Sequence, residues 1–227
     1  NSSVRNQGVE LSIGVKLIRK KDFDWNIQFN VNHMWNKVLA IPMPIDIAGA
    51  DYYDASTWLY SNARGGLRPG YSTGTITSFG YRRQDLSPPG ANGLSKNDGE
   101  VLISPTTGLP LNDGVFRVRG DRTIGLTVGT INRLRYKNLS LSFLWDLRIG
   151  GDIFNATGMY LTTLGKSAKT ADRLTPRVIS GIIQDGLQNT ATPTRNNILV
   201  TPYYNNTYYN STNMPEEDYM ERNIKAF

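Results

Sequence analysis

The sequence predicts an all-β chain that forms part of a large antiparallel barrel crossing a membrane on its strands. Three observations carry that expectation. Four segments alternate apolar with polar residues, those segments are unusually long, and the links between them are in turn very short and very long. Alternation with period two puts apolar side chains on one face of a strand and polar ones on the other. Nowhere is the 3.6-residue period of an amphipathic helix sustained.

The first strand is expected over residues 8–18, GVELSIGVKLI. Val9, Leu11, Ile13, Val15 and Leu17 share one face, with Glu10, Ser12, Gly14 and Lys16 on the other. Arg19-Lys20-Lys21-Asp22 links it to a second strand over 23–35, so the two read as a hairpin. Here Phe23, Trp25, Ile27, Phe29, Val31, His33 and Trp35 alternate with Asp24, Asn26, Gln28, Asn30 and Asn32. Met34 is the one apolar residue of the polar set. A third strand over 123–136 places Ile124, Leu126, Val128, Leu134 and Tyr136 on one parity. Lys137-Asn138 then turns the chain into a fourth, 139–149. In it Leu139, Leu141, Phe143, Trp145, Leu147 and Ile149 oppose Ser140, Ser142, Asp146 and Arg148, with Leu144 out of pattern. Residues 219–227 begin a further strand.

The remaining stretches are long loops, over about 36–122 and 150–218. The first holds most of the Pro and much of the Gly, and the second is rich in Asn, Thr and Tyr. Loops beyond about 15 residues are uncommon in compact domains and are usually functional or disordered. Patterns inside the first, such as TGTITSFGYR (Thr73–Arg82), are Gly-broken and weakly apolar. It is therefore read as one external loop with its own β-ribbon and no membrane crossing.

Strand length and aromatic placement select a membrane barrel over a soluble sandwich. Transmembrane strands need about 9–11 residues tilted near 40°. Trp25 and Trp35 stand ten residues apart on one face, which is roughly 25 Å along the membrane normal. Tyr136 and Trp145, on neighbouring strands, give about 23 Å by the same arithmetic. Trp25, Ile27, Phe29, Trp35, Tyr136, Phe143 and Trp145 are thus assigned to the lipid face and its aromatic girdles. Asn26, Gln28, Asn30 and Asn32 are assigned to the lumen. Short turns on one side and long loops on the other are the usual barrel asymmetry. Four or five strands cannot close around a lumen, and open edges in lipid are costly, so the strands belong to something larger.

Composition narrows the chemistry. The 227 residues carry a net charge of +6, with an isoelectric point near 9.5. The basic residues are scattered, and the one local run, Arg19-Lys20-Lys21, falls in a turn. That patterning points to no nucleic-acid partner. There is no Cys and a single His, so thiol-ligated or His-rich metal sites are excluded, and a Ser-His-Asp triad would depend on His33. Glycoside hydrolysis needs two carboxyls at set separations in a cleft. Asp51 with Asp54, and Glu216, Glu217 and Asp218, are instead neighbours in polar loops and read as solvated charge. No catalytic residue and no enzyme are expected. No run of about 18 apolar residues offers a transmembrane helix. The mean hydropathy of −0.39 fits a barrel strand, which offers lipid only every second residue. The first residues, NSSVRNQGVE, show neither a starting Met nor a signal peptide, as in a mature form or an internal fragment.

Several blocks resemble one family. SVRNQGVELSI followed by FDWNIQFNVNHMWNKVLAI is similar to a late barrel hairpin of SusC/RagA-type TonB-dependent outer-membrane transporters of Bacteroidetes. GLRPGYSTGTITSFGYR resembles that family's Gly-rich loop segment, with Arg68, Gly70, Gly74, Gly80 and Tyr81 in order. DRTIGLTVGTINRLRYKNLSLSFLWDLRIGGDIFNAT, then GKSAKTADR, resembles the next hairpin and its loop. The resemblance implies a barrel of about 22 strands around a plug, in the outer membrane of a Gram-negative bacterium. It also implies active import of oligosaccharides or peptides, driven through TonB, beneath a SusD-like lipoprotein lid.

On that reading the partners are the rest of the barrel and plug, the lipoprotein, TonB and outer-membrane lipid. Tyr52, Tyr53, Trp58, Tyr203 and Tyr204, with Tyr60, Tyr208 and Tyr209, become candidates for contact with substrate or lid, with packing of the loops on themselves as the plainer reading of these aromatics. Many members also carry an Asp-rich, calcium-loop-like stretch before the second hairpin. Here KNDGEVLISPTTGLPLND keeps Asp98, Gly99 and Glu100 but has Ser104 where an acid often stands. Calcium takes six to eight oxygens, so no metal and no cofactor are assigned. The alternative is a soluble β-rich module of an extracellular glycan-binding protein, which would purify without detergent.

Overall fold

The computed structural model describes residues 2–41, 45–47, 50–89, 95–201, 208–209 and 213–226, with backbone alone over 45–47 and 50–59. The elements used below are β1 (Ser3–Arg19), β2 (Phe23–Ala40), β3 (Ile45–Ile47), β4 (Ala50–Tyr60), β5 (Ala63–Leu67), β6 (Thr75–Ser78), β7 (Leu102–Ile103), β8 (Arg117–Asp121), β9 (Leu126–Tyr136), β10 (Leu139–Ile149), β11 (Ile153–Phe154) and the helix α1 (Ala156–Thr163).

A wall of four long antiparallel strands runs β1-β2-β9-β10, and the short strand Lys225–Ala226 begins a fifth position beside β10. Strands β2 and β9 pair directly, from Phe23↔Tyr136 to Asn32↔Thr127. The intervening chain therefore leaves the wall at β2 and returns at the next strand over. Among the described residues it forms a second sheet, β3-β4-β5-β6-β8.

Strands β1 and β2 outrun the alternation that reveals them, reaching 17 and 18 residues. Residues 3–7 show no apolar alternation, Val4 being their one apolar member, yet they pair with 35–40. Ladder hydrogen bonds need a partner backbone, not an apolar side chain, so periodicity understates the strand. Strand β9 conversely starts at Leu126, not 123. The amide of Thr123 is taken by the Asp121 carboxylate at 2.9 Å, and Gly125 N–H bonds the carbonyl of Ile149. One register shift also corrects the expected apolar face. A bulge between Lys16 and Ile18 leaves Leu17 unpaired, so Ile18, not Leu17, stands opposite Trp25.

Both turns at the narrow end are tight. Lys20 and Phe23 exchange backbone hydrogen bonds, and Lys137 takes a φ of 51°. The Lys137 amide also donates to the carbonyl of Asp22, tying the two hairpins together.

Among the described residues, a hydrophobic cluster lies in the loop region: Ala63, Ile76, Phe154, Met159, Tyr219 and Met220, with Ala156 and Met214 against it. The helix α1 belongs to it and was not foreseen from the sequence. It is eight residues long and buries only Met159 and Thr162, too few to make a 3.6-residue stripe. Asn155 caps it, its Oδ1 accepting from Gly158 N–H at 2.7 Å.

Candidate functional site

The register sorts the wall into two faces. On one, rows run across the strands: Val15, Ile27, Asn132 and Phe143; then Ile13, Phe29, Thr130 and Trp145; then Leu11, Val31, Val128 and Leu147. Every one of the seven side chains assigned to lipid and girdle (Trp25, Ile27, Phe29, Trp35, Tyr136, Phe143, Trp145) stands on this face. Much of it lies open, with Trp145 64% and Leu141 59% exposed.

The other face is polar and cross-linked. Ser12 Oγ donates to Asn30 Oδ1 at 2.8 Å, Gln28 Nε2 donates to Ser12 Oγ at 3.2 Å, and Asn32 Nδ2 donates to Glu10 Oε1 at 2.8 Å. Asp24 pairs with Arg135 and Asp146 with Arg148. Asn26 shares this parity, opposite Lys16 and Arg133. Lateral bonds of this kind keep polar side chains flat against their own sheet.

Two details modify the girdle. Leu139 pairs with Tyr136, so Trp145 lies only six residues further up, about 15 Å at the same tilt. It occupies the row of Phe29, at mid-height on the band between Trp25 and Trp35. Secondly, Asn132 is a polar residue on the apolar face, and it is 6% exposed. The Trp25 indole covers it, Nε1–H donating to Asn132 Oδ1 at 3.2 Å. A buried acceptor left without its donor costs about 1–3 kcal/mol. Trp25→Phe is therefore expected to destabilise the wall by about that amount, and the Trp25→Phe/Asn132→Leu pair to recover most of it. A double-mutant cycle in denaturant titrations measures the coupling.

His33 sits on the apolar face, its Nδ1 against the carbonyl of Gly125 and its ring edge-on to Trp35, centroids 4.2 Å apart. Both ring contacts are structural.

Above the wall the loops converge on a charged cluster. Glu217 accepts from Tyr81 N–H at 3.1 Å and Arg83 at 3.1 Å through Oε1, and meets Arg119 at 2.7 Å through Oε2. Asp113 holds Arg117 at 2.8 Å and Arg119 at 3.3 Å. The side chains of Asp113 and Glu217 are 4% and 10% exposed. Tyr81 O–H donates to Asp218. Burial first, then the adjacent Asp218, push the phenol well above its ordinary value, and burial likewise raises the Asp218 carboxyl. Burial lowers the Arg119 guanidinium, against the pull of Glu217 and Asp113. Glu216 is fully buried and accepts from Asn62 N–H at 3.0 Å. Glu216 and Glu217 are thus interior framework, not the solvated charge their sequence suggested.

The other assigned positions fall as follows. Tyr203 and Tyr204 lie outside the described residues. Tyr52, Tyr53 and Trp58 are on β4, where the backbone alone is described. Tyr209 is buried, donates to Asp172 at 2.6 Å and packs on Tyr208, with Arg177 over both rings. Tyr60 and Tyr160 form an exposed edge-on pair with centroids 6.3 Å apart.

In the calcium-loop-like stretch, the Asp98 carboxylate accepts from the Leu86 amide at 3.0 Å. A hydrogen bond from Ser87, then the one from Leu86, hold it below the usual carboxylate range. Ser104 closes a tight turn whose Gly108 has a φ of 71°. Among the described residues no group of three or more His, Cys, Asp or Glu is placed to hold a metal ion.

Comparison with known proteins gives a relative by sequence. The chain is 28% identical over 179 residues to TonB-dependent receptor P3 of Formosa agariphila, a match covering 74% of this chain. It spans 17% of that relative's length. Among solved structures, it resembles the RagAB peptide transporter with a TM-score of 0.48 and 14% identity, over 97% of this chain and 22% of the other. The RagAB peptide importer in its open-open state gives 0.41 and 16%, over 67% and 15%. Neither structural likeness is close enough to add to the sequence match. No family model matches the chain.

Proposed function

We infer that this chain, similar to SusC/RagA-type TonB-dependent transporters of Bacteroidetes by its own motifs and by its sequence relative, forms one section of such a transporter's barrel wall with two of its external loops. The observation that carries the reading is the two-faced wall: an exposed apolar band bounded by Trp25 and Trp35, backed by a cross-linked polar face. A protein surrounded by water does not leave an apolar face of that extent open. Lipid on one side and a polar lumen on the other satisfy both faces at once.

The unpaired outer edges of β1 and of most of β10, among the described residues, fit a sheet continued by further strands. The whole protein would be an outer-membrane importer of nutrients, oligosaccharides or peptides. TonB would drive its plug, and a SusD-like lipoprotein would cover its loops. This section would supply wall, lumen lining and loop framework, and no catalysis.

The test uses the full-length protein in its own outer membrane. It is expected to need detergent for extraction, to migrate faster on gels unboiled than boiled, and to support substrate uptake that stops when TonB is removed. A monodisperse detergent-free preparation would overturn the wall and favour the soluble glycan-binding module. Uptake that persists without TonB would overturn the import mechanism while leaving the wall intact.

A further inference from the structure

The charged cluster sits where both loops are rooted in the wall. Strand β8, which carries Arg117 and Arg119, leads within five residues into wall strand β9. Glu217 precedes Lys225–Ala226, the start of the position beside β10, by eight residues. The two roots also touch directly. The amides of Asp121 and Asp152 are taken by Asp152 Oδ2 at 2.9 Å and by the carbonyl of Asp121 at 2.6 Å. Glu217 alone reaches three residues of the first loop, in two separate stretches: the backbone of Tyr81, the side chain of Arg83 and the β8 residue Arg119. These partners are separated from it by about 100 to 140 residues of sequence, so nothing local holds them together.

We propose that Glu217 is a positioning residue that fastens the loop carrying Tyr81, Arg83 and Arg119 to the segment 213–221, so that the two external loops stand over the wall as one body. That the loops are external rests on the transport reading. The geometry favours fastening over mere filling. Both Glu217 oxygens are committed, to different elements, and Gly80 brings its backbone against the ion pair so closely that a Cβ there would meet Arg119 and Glu217 themselves. Charge-assisted hydrogen bonds are roughly twice as strong as neutral ones, and here they are mostly out of water.

The test is hydrogen exchange on the full-length transporter, wild type against Glu217→Gln. The informative amides are ones Glu217 does not touch. On one side these are Arg82, bonded to the Leu111 carbonyl, and Leu102, bonded to that of Arg82. On the other is Asn155, bonded to the Tyr219 carbonyl. Fastening predicts that exchange at all three accelerates together, by about tenfold or more, while Phe29 in β2 is unchanged. Arg83→Gln, which removes one of the three contacts, should give a smaller acceleration on the same two sides. Acceleration confined to the Tyr81 amide, or to one side alone, would overturn the proposal. Unboiled gel migration of the same samples separates the two readings. A lost fast band in wild type speaks against the barrel, whereas an intact barrel with unloosened loops speaks against the tether.

Discussion

Phe29→Arg is expected to cost about 2–4 kcal/mol of barrel stability, the penalty for a cation near the bilayer midplane. Phe29 is the fourth residue beyond Trp25 and the sixth before Trp35, flanked by Ile13 on β1 and Thr130 on β9. It is 39% exposed. In a bilayer that exposure is to hydrocarbon. An arginine there must drag water inward or bend toward a headgroup about 10 Å away along the band. At 1.4 kcal/mol per tenfold, the folded-to-unfolded ratio falls by roughly 30- to 1,000-fold. Gln28→Arg, one residue away on the polar face, loses two lateral hydrogen bonds, to Ser12 and Asn30, and should cost about 1 kcal/mol, the low end for two such bonds. Urea titration of the full-length protein in lipid vesicles, followed by the unboiled gel band, measures both. The contrast carries the information. In water a half-exposed Phe is replaced by Arg at small cost, so equal, small effects at 28 and 29 would count against lipid on the apolar face.

That contrast also explains which parts of the molecule the sequence displays. A wall with one apolar and one polar face alternates along most of its length, so β1, β2 and β10 are visible as patterns. Their ends are not, because residues 3–7 carry no apolar alternation and still join the ladder. The bulge at Leu17 is invisible for the same reason: a shifted register changes partners without changing the residues. Asn132 breaks the apolar parity, and its Trp25 partner lies 107 positions away, so the polar break looks like noise until the strands are paired. The loop base is the extreme case. Asp113, Glu217 and their arginines carry no local period, and an acidic run such as Glu216-Glu217-Asp218 reads as solvent-facing charge unless its distant cations are known. Burial of Glu216 and Glu217 is a tertiary fact, decided by contacts more than 100 residues apart.

Gly80→Ala is the second large effect expected, and its cause is electrostatic more than steric. A Cβ at position 80 would fall on the Arg119 guanidinium and on Glu217 Oε2, the two halves of the 2.7 Å pair. Side-chain ends of this kind move aside readily. Here moving them parts a nearly buried ion pair, and breaking such a pair typically costs about 3–5 kcal/mol because the charges stay where water does not reach. The Arg119 contact to Asp113 gives partial shelter, so about 2–3 kcal/mol is expected. Gly14→Ala is the comparison, since no atom lies within 4 Å of a Cβ there. It sits on the polar face of β1, and a gain of a few tenths to one kcal/mol from reduced unfolded-chain entropy is expected. The measurement is protease sensitivity of the external loops on intact cells. Gly80→Ala should be cut faster than wild type and Gly14→Ala not. The unboiled gel band should stay fast for both, since the damage at residue 80 lies in the loop base and not in the wall. Wild-type protection in Gly80→Ala would show that the pair re-forms elsewhere and that the close approach of the residue 80 backbone is incidental.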